Sequence, residues 1–550
     1  MKERTEQNQP VLRVRNLSVA FQTEDRRVQA VENLSFDVMP GEVLGLVGES
    51  GSGKTVTGMS ILRLNPSPPA QYTGGEIWFE GQDLLKLPTE QLREIRGSKI
   101  SAIFQEPMTA LSPLQTVGEQ LRELLNLHRP LMTEREKTAL VVEWLAKVGI
   151  PEPEKRQHQY PFQYSGGMRQ RVTIAMALML EPRLVIADEP TTALDVTLQA
   201  QVFDLMMEMK ADKTSLLFIT HDMGVVWELC DRVLVMKEAR QVETGETNAL
   251  FARPQQDYTR ALLQAVPRLD DAPSREMPDF EEELIRTENL QTWFPIKKGM
   301  FARTVGHVKA VDGLDMVIHA GETVGIVGES GSGKSTLGRT LIGLERATGG
   351  EFWIEGQPLR GVRGGRWRMI RRQIAMIFQD PYSSLNGRMK ILDLITEAPI
   401  VHGLLAKPDP DFAARWLEEV GLEADMMHRY PHEFSGGQRQ RICIARVLAL
   451  EPKLIICDEA VSALDVTIQA QILDLFLELR ERHQLAYLFI SHDLSVVKRI
   501  CDQVLVMQNG KAVERGTPSR VIEQPEHPYT QKLLQAVPSP GDPTRQRRRD

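Results

Sequence analysis

One ordered set of short motifs is written twice along this chain. VGESGSGKT, ending at Thr55, returns as VGESGSGKS, ending at Ser335, and IFQEP, with Gln105, returns as IFQDP, with Gln379. YSGGMRQR from Tyr164 returns as FSGGQRQR from Phe434, ADEPTTALDVT with Asp188 as CDEAVSALDVT with Asp458, and ITHD with His221 as ISHD with His492. Even the ends repeat, DYTRALLQAVP closing at Pro267 and PYTQKLLQAVP at Pro538. Order and spacing are kept and each copy is domain-sized, so the chain is a tandem duplication rather than a solenoid. Its 550 residues exceed one ordinary core. The expected division is 1–268, an acidic proline-containing linker LDDAPSREMPDFEEE at 269–283, and 284–550.

Within each copy, short apolar runs alternate with helical patterns, which points to an α/β fold with a parallel sheet. Residues 43–47, 184–187 and 216–219, and in the second copy 324–327, 454–457 and 487–490, read as buried strands. Each runs into a polar motif, and ligands of open α/β sheets bind at the carboxyl ends of strands. Between Gln105 and Ser165 the period becomes helical. Val141, Trp144, Leu145 and Val148 share one face, as do Trp416, Leu417 and Val420, which predicts a helical insert with both tryptophans in its packing.

The motifs require phosphate chemistry. GxxxxGK[ST] matches at Gly48, Gly53, Lys54 and Thr55, and at Gly328, Gly333, Lys334 and Ser335; Ser50 and Gly51, and Ser330 and Gly331, lie within the two loops. Glycines let backbone N–H groups and the following helix N-terminus face phosphates, the lysine adds charge, and the hydroxyl suits Mg²⁺. Asp188 and Asp458 end apolar strands and suit Mg²⁺, which prefers oxygen ligands. The adjacent Glu189 and Glu459 can deprotonate a water. Ser165-Gly166-Gly167 and Ser435-Gly436-Gly437 open predicted helices and so offer further backbone donors to an anion.

With these residues assembled, the chain resembles the ATP-binding-cassette (ABC) ATPases over nearly its whole length. The resemblance implies two tandem P-loop NTPase domains, each a RecA-like core with a helical subdomain. It implies ATP and Mg²⁺, with Thr55, Gln105 and Asp188, and Ser335, Gln379 and Asp458, around the cation. Glu189 and Glu459 resemble the catalytic bases, His221 and His492 the switch histidines, and Asp195 and Asp465 the D-loop residues. Phe21 and Phe294 are the candidates to stack on adenine. In such proteins two domains pair head to tail, which would join Lys54 with Ser435 and Lys334 with Ser165; a homo-oligomer is not required. Ala460 departs from the usual proline, and Tyr164 and Phe434 from the usual leucine.

At finer grain the chain is similar to the dipeptide, oligopeptide and nickel importers, with fused two-domain members closest. That likeness implies an import ATPase working on glutathione or short peptides. Its partners would be two integral-membrane permease subunits and, indirectly, a periplasmic or surface solute-binding protein, at the cytoplasmic face of the inner membrane. Composition weighs against other classes. A formal charge of −8 gives no electrostatic reason for nucleic acid as a partner, and the short acidic linker differs from the long charged linkers of ribosome-acting tandem ABC proteins. No apolar run reaches the ~18 residues that span a bilayer. Cys230, Cys443, Cys457 and Cys501 form no CxxC pair, so neither zinc nor an iron–sulfur cluster is expected, and buried inert thiols are.

Overall fold

A computed structural model describes residues 9–22, 27–104, 110–190, 196–211, 214–266, 280–298, 303–362, 364–462 and 464–537. Contacts divide the chain into two compact units, one drawn from residues 1–266 and one from 267–537. Residues 269–279 of the expected linker lie outside the described residues, and Glu283 already opens the first strand of the second unit.

The first unit contains β1 (Leu12–Gln22), β2 (Arg27–Val38), β3 (Val43–Val47), β4 (Ala70–Phe79), β5 (Gln82–Asp83), β6 (Ile100–Ile103), β7 (Leu184–Asp188), β8 (Ser215–Thr220), β9 (Arg232–Lys237) and β10 (Arg240–Glu246). They form an antiparallel sheet of order β2-β1-β4-β5 and a six-stranded sheet of order β10-β9-β3-β8-β7-β6. In the larger sheet every pairing is parallel except β9 with β10. The second unit repeats the plan with β11 (Glu283–Lys298), β12 (Arg303–His319), β13 (Thr323–Val327), β14 (Gly349–Ile354), β15 (Gln357–Pro358), β16 (Ile374–Ile377), β17 (Leu454–Asp458), β18 (Ala486–Ile490), β19 (Gln503–Gln508) and β20 (Lys511–Gly516). Its sheets run β12-β11-β14-β15 and β16-β17-β18-β13-β19-β20.

Continuous apolar runs become strands here because both faces of the parallel sheet are covered. Side chains alternate between faces along a strand. Leu44 and Leu46, Leu184 and Ile186, Leu217 and Ile219 accordingly pack with the antiparallel sheet, against Val14, Leu34 and Ile77. Val43 and Val47, Val185 and Ala187, Leu216 and Phe218 join the opposite core. That second core holds the expected helical face, with Val141, Trp144, Leu145 and Val148 all buried; Trp416, Leu417 and Val420 are buried in the second unit.

The helices of the insert start where capping predicts. Thr116 and Thr133 each accept from the backbone of Glu119 and Glu136, whose carboxylates reach back to the cap N–H, a reciprocal box satisfying two end donors at once. All four cysteines are buried. Burial pushes the Cys443 thiol up to about 11 and that of Cys457 higher still, so both stay protonated.

Candidate ATP site

Register gathers the motifs at the carboxyl ends of the strands in the larger sheet of each unit. Val47 pairs with Thr220 and Asp188 with Ile219, so the loop after β3, the acids ending β7 and the histidine after β8 emerge side by side. In the second unit Ile326 and Asp458 both pair with Ile490, which brings the same three segments together.

The candidate phosphate-binding loops need their glycines. Gly48, Gly51 and Gly53 have φ of 149°, 78° and 99°, and Gly328, Gly331 and Gly333 of 151°, 81° and 106°. A Cβ on Gly53 would stand 2.2 Å from the Ala30 carbonyl oxygen, and one on Gly333 1.9 Å from that of Ala310. At Gly51 and Gly331 a Cβ would meet nothing within 4 Å, so there the loop opens onto free space. Each loop runs into a helix, Lys54–Ile61 or Lys334–Leu341, whose first-turn N–H groups attract an anion. The lysines are almost fully buried, yet their charge is satisfied: Lys54 Nζ donates to the carbonyls of Gly48 (2.6 Å) and Glu49 (2.8 Å), and Lys334 Nζ to those of Gly328 (2.7 Å) and Glu329 (2.9 Å).

Behind each lysine sits a hydroxyl–carboxylate pair. Thr55 Oγ1 donates to Asp188 Oδ1 at 3.2 Å, and Ser335 Oγ to Asp458 Oδ1 at 2.8 Å. Asp188 Oδ2 is buried and accepts no hydrogen bond among the described residues. Burial drives the Asp188 carboxyl up to about 6, with the neighbouring Glu189 charge adding to the rise against the Thr55 hydrogen bond; Asp458 is raised for the same reasons. A buried acceptor with an unused oxygen beside a hydroxyl is a donor set that fits Mg²⁺. Thr55 with Asp188, and Ser335 with Asp458, would hold the ion, which neutralises phosphate charge when bound. Because the native carboxyl binds a proton more tightly than an ordinary aspartate, acid competes with the cation. Apparent Mg²⁺ affinity in the presence of ATP is expected to fall as pH drops through about 6, which titration calorimetry at pH 7.5 and 5.5 would measure.

The glutamates carry strain. Glu189 and Glu459 adopt φ of 46° and 49°, a left-handed conformation uncommon for side-chain-bearing residues and concentrated at functional sites. Each is pinned there by its N–H, which donates to a carbonyl at the end of the neighbouring strand, that of Ile219 just before the last residue of β8 or that of Ile490 closing β18, at 2.9 Å. Glu189 Oε1 then lies 2.9 Å from His221 Nδ1, and Glu459 Oε2 3.6 Å from His492 Nδ1. Gln379 Nε2 donates to Glu459 Oε2 at 2.8 Å. Burial alone would raise the Glu459 carboxyl, but His492 and Lys334 outweigh it and hold it below the usual range. Burial would likewise lower His492, and the Glu459 carboxylate reverses that and raises it.

Other expected residues are placed less centrally. Ser165 and Ser435 cap the helices Gly166–Leu178 and Gly436–Leu448, accepting from Met168 and Gln438 N–H, so Gly166-Gly167 and Gly436-Gly437 form their first turns as expected. Asp465 is the residue before the helix Val466–His483. Gln105 and Asp195 lie outside the described residues. Phe21 sits on β1 opposite Val28, two residues before Ala30, whose carbonyl abuts Gly53. Phe294 on β11 faces Val308, two residues before Ala310 at Gly333. In both units the backbone of the phenylalanine thus pairs about 7 Å along the strand from the carbonyl that abuts the loop. The departure at Ala460 has a local correlate: Pro190 accepts from Gln170, whereas the amide of the buried counterpart Gln440 has no partner among the described residues.

The sequence reading missed one contact. Tyr258 and Tyr529, in the repeated segment that closes each copy, accept hydrogen bonds from Glu49 and Glu329 N–H in the phosphate loops. The repetition of Tyr-Thr in both closing segments was the available signal.

This geometry is that of a nucleotide hydrolase, and the chain belongs to the ABC transporter family, whose sequence pattern matches residues 31–192 and 311–462. The pattern described as "Oligopeptide/dipeptide transporter, C-terminal region" matches 242–292 and 513–550. The protein is an ABC-type ATPase that binds and hydrolyses ATP. It is 49% identical to the peptidoglycan transport ATP-binding protein YejF of Agrobacterium fabrum, over 96% of both chains. It is 47% identical to the glutathione import ATP-binding protein GsiA of Escherichia coli, over 98% of this chain and 91% of that one. A solved dimeric bacterial ABC transporter cassette aligns over 43% of this chain and 98% of its own, at 27% identity and a TM-score of 0.40. No helix among the described residues is long and apolar enough to cross a membrane, and membrane permeases are the partners that the family implies.

Proposed function

We propose that this chain drives uptake of glutathione or a short peptide, with two permease subunits at the cytoplasmic face of the inner membrane and a solute-binding protein delivering cargo. The observation that carries the hydrolytic part is the duplicated cluster of loop lysine, hydroxyl–aspartate pair and strained glutamate beside a histidine. In this reading residues 48–55 and 328–335 cradle the phosphates, and Lys54 and Lys334 leave their loop carbonyls for phosphate oxygens. Glu189 and Glu459 take the proton of an attacking water, with His221 and His492 orienting each carboxylate. Gln105, Gln379, Asp195 and Asp465 complete the surroundings of the nucleotide, and Phe21 and Phe294 stack on adenine, a role supported by their place beside the loops. Residues 1–268 and 284–550 are the two domains, and 269–283 is the tether.

The cargo is proposed from the relatives, because an ATPase subunit does not read the transported molecule. Uptake of labelled glutathione and of a labelled dipeptide is the test, in cells lacking the gene and complemented with either the wild-type chain or Lys54→Ala with Lys334→Ala. Uptake of one cargo is expected to return with wild type alone. If neither cargo depends on the gene, the peptide assignment is wrong while the ATPase stands.

A further inference from the structure

The segment that closes each unit is built onto its phosphate loop. In the first unit, Glu243 on β10 accepts from Gln255 and Gln256 N–H at 2.8 and 3.1 Å, fixing the start of the helix Asp257–Ala265. In the second, Glu514 on β20 accepts from Glu526 and His527 N–H at 2.9 and 3.1 Å, fixing the helix Pro528–Ala536. Each helix then brings a tyrosine onto the loop. Tyr258 Oη accepts from Glu49 N–H at 3.2 Å, and Tyr529 Oη from Glu329 N–H at 2.9 Å. Lys237, at the end of β9, lies over the Tyr258 ring at 4.8 Å.

The residue held is a strategic one. Glu49 and Glu329 follow Gly48 and Gly328, whose φ of 149° and 151° are open to glycine and rarely to other residues. Their own carbonyls accept the loop lysines. One peptide therefore carries the tyrosine on its N–H, while the carbonyl of the same residue carries the lysine that meets phosphate. A glycine-rich loop has many alternative conformations, and apparent affinity falls with the fraction of the loop that is binding-competent.

We infer that Tyr258 and Tyr529 are positioning residues for ATP, holding the phosphate loops in their binding conformation and tying nucleotide affinity to the docking of the closing segments. The inference rests on residues 48–55 and 328–335 being the ATP loops. A Lys54→Ala, Lys334→Ala chain tests that premise separately, since its loss of fluorescent-ATP binding is independent of the tyrosines.

The experiment compares Tyr258→Phe, Tyr529→Phe and the double variant with wild type as full-length chains, by steady-state hydrolysis, titration with fluorescent ATP and thermal unfolding. Phenylalanine keeps the ring and removes the acceptor. The double variant is expected to raise KM and Kd for ATP by about 3- to 10-fold, the range of one neutral hydrogen bond, with kcat within about twofold. Tyr529→Phe, which breaks the shorter bond, is expected to contribute the larger share. Amide exchange of the peptide holding Glu329 is expected to quicken in the same variant. Unchanged KM and Kd in the double variant would overturn the inference. So would a fall in Tm and kcat at constant KM, which is the mark of a purely structural tie.

Discussion

Replacing both Glu189 and Glu459 with glutamine is expected to slow ATP hydrolysis by about 10²- to 10⁴-fold, the usual worth of a positioned general base, while ATP stays bound. Glutamine matches the shape of glutamate and can keep the contacts to His221 and to Gln379, but it cannot take a proton. The left-handed backbone at 189 and 459 is held by the Ile219 and Ile490 carbonyls, not by the side chain, so the fold should not register the change. Single variants separate the sites. The glutamate–histidine distance is longer at Glu459 (3.6 Å) than at Glu189 (2.9 Å), and any inequality between Glu189→Gln and Glu459→Gln measures how far the halves have diverged. Phosphate release from the double variant within tenfold of wild type would remove these carboxylates from the mechanism.

Gly333→Ala is expected to abolish nucleotide binding at its loop and to destabilise the second unit by at least ~3 kcal/mol. Two costs combine. A side chain at φ 106° is strained by about 1–3 kcal/mol, and the new Cβ would need the space of the Ala310 carbonyl oxygen, 1.9 Å away. That oxygen belongs to the backbone of β12 and cannot rotate aside. In a domain of this size, such a loss lowers Tm by roughly 10 °C. Gly331→Ala is the matched control: φ is 81° but a Cβ there meets nothing within 4 Å, so it is expected to cost only conformational strain. Calorimetry and ATP titration on the two variants separate steric collision from lost flexibility. Equal behaviour would mean that close packing of strand on loop is not what demands glycine at 333.

The strands that carry the site were legible because both of their faces are covered, which leaves unbroken apolar runs such as VLGLV and TVGIV. The motif residues were legible because phosphate chemistry fixes residue types at short spacing. The antiparallel sheets were less so. The burial of β1 and β2 is irregular and interrupted by bulges at Leu17 and Val19, so no clean alternation announces them. Nor could the sequence place Tyr258 on Glu49, because 209 positions separate them and only the tertiary fold brings them together. The resting partners of Lys54 were hidden for another reason. A motif names what the lysine meets in catalysis, whereas the fold must also satisfy a buried ammonium by itself.

That provision shapes what happens after each round of chemistry. A buried ammonium stripped of its counter-charge would cost several kcal/mol and would resist letting product go. Here the carbonyls of Gly48 and Glu49, and of Gly328 and Glu329, stand within hydrogen-bond reach of the two lysines. In the proposed cycle, departure of the spent nucleotide would be an exchange of acceptors for each lysine rather than a loss of them.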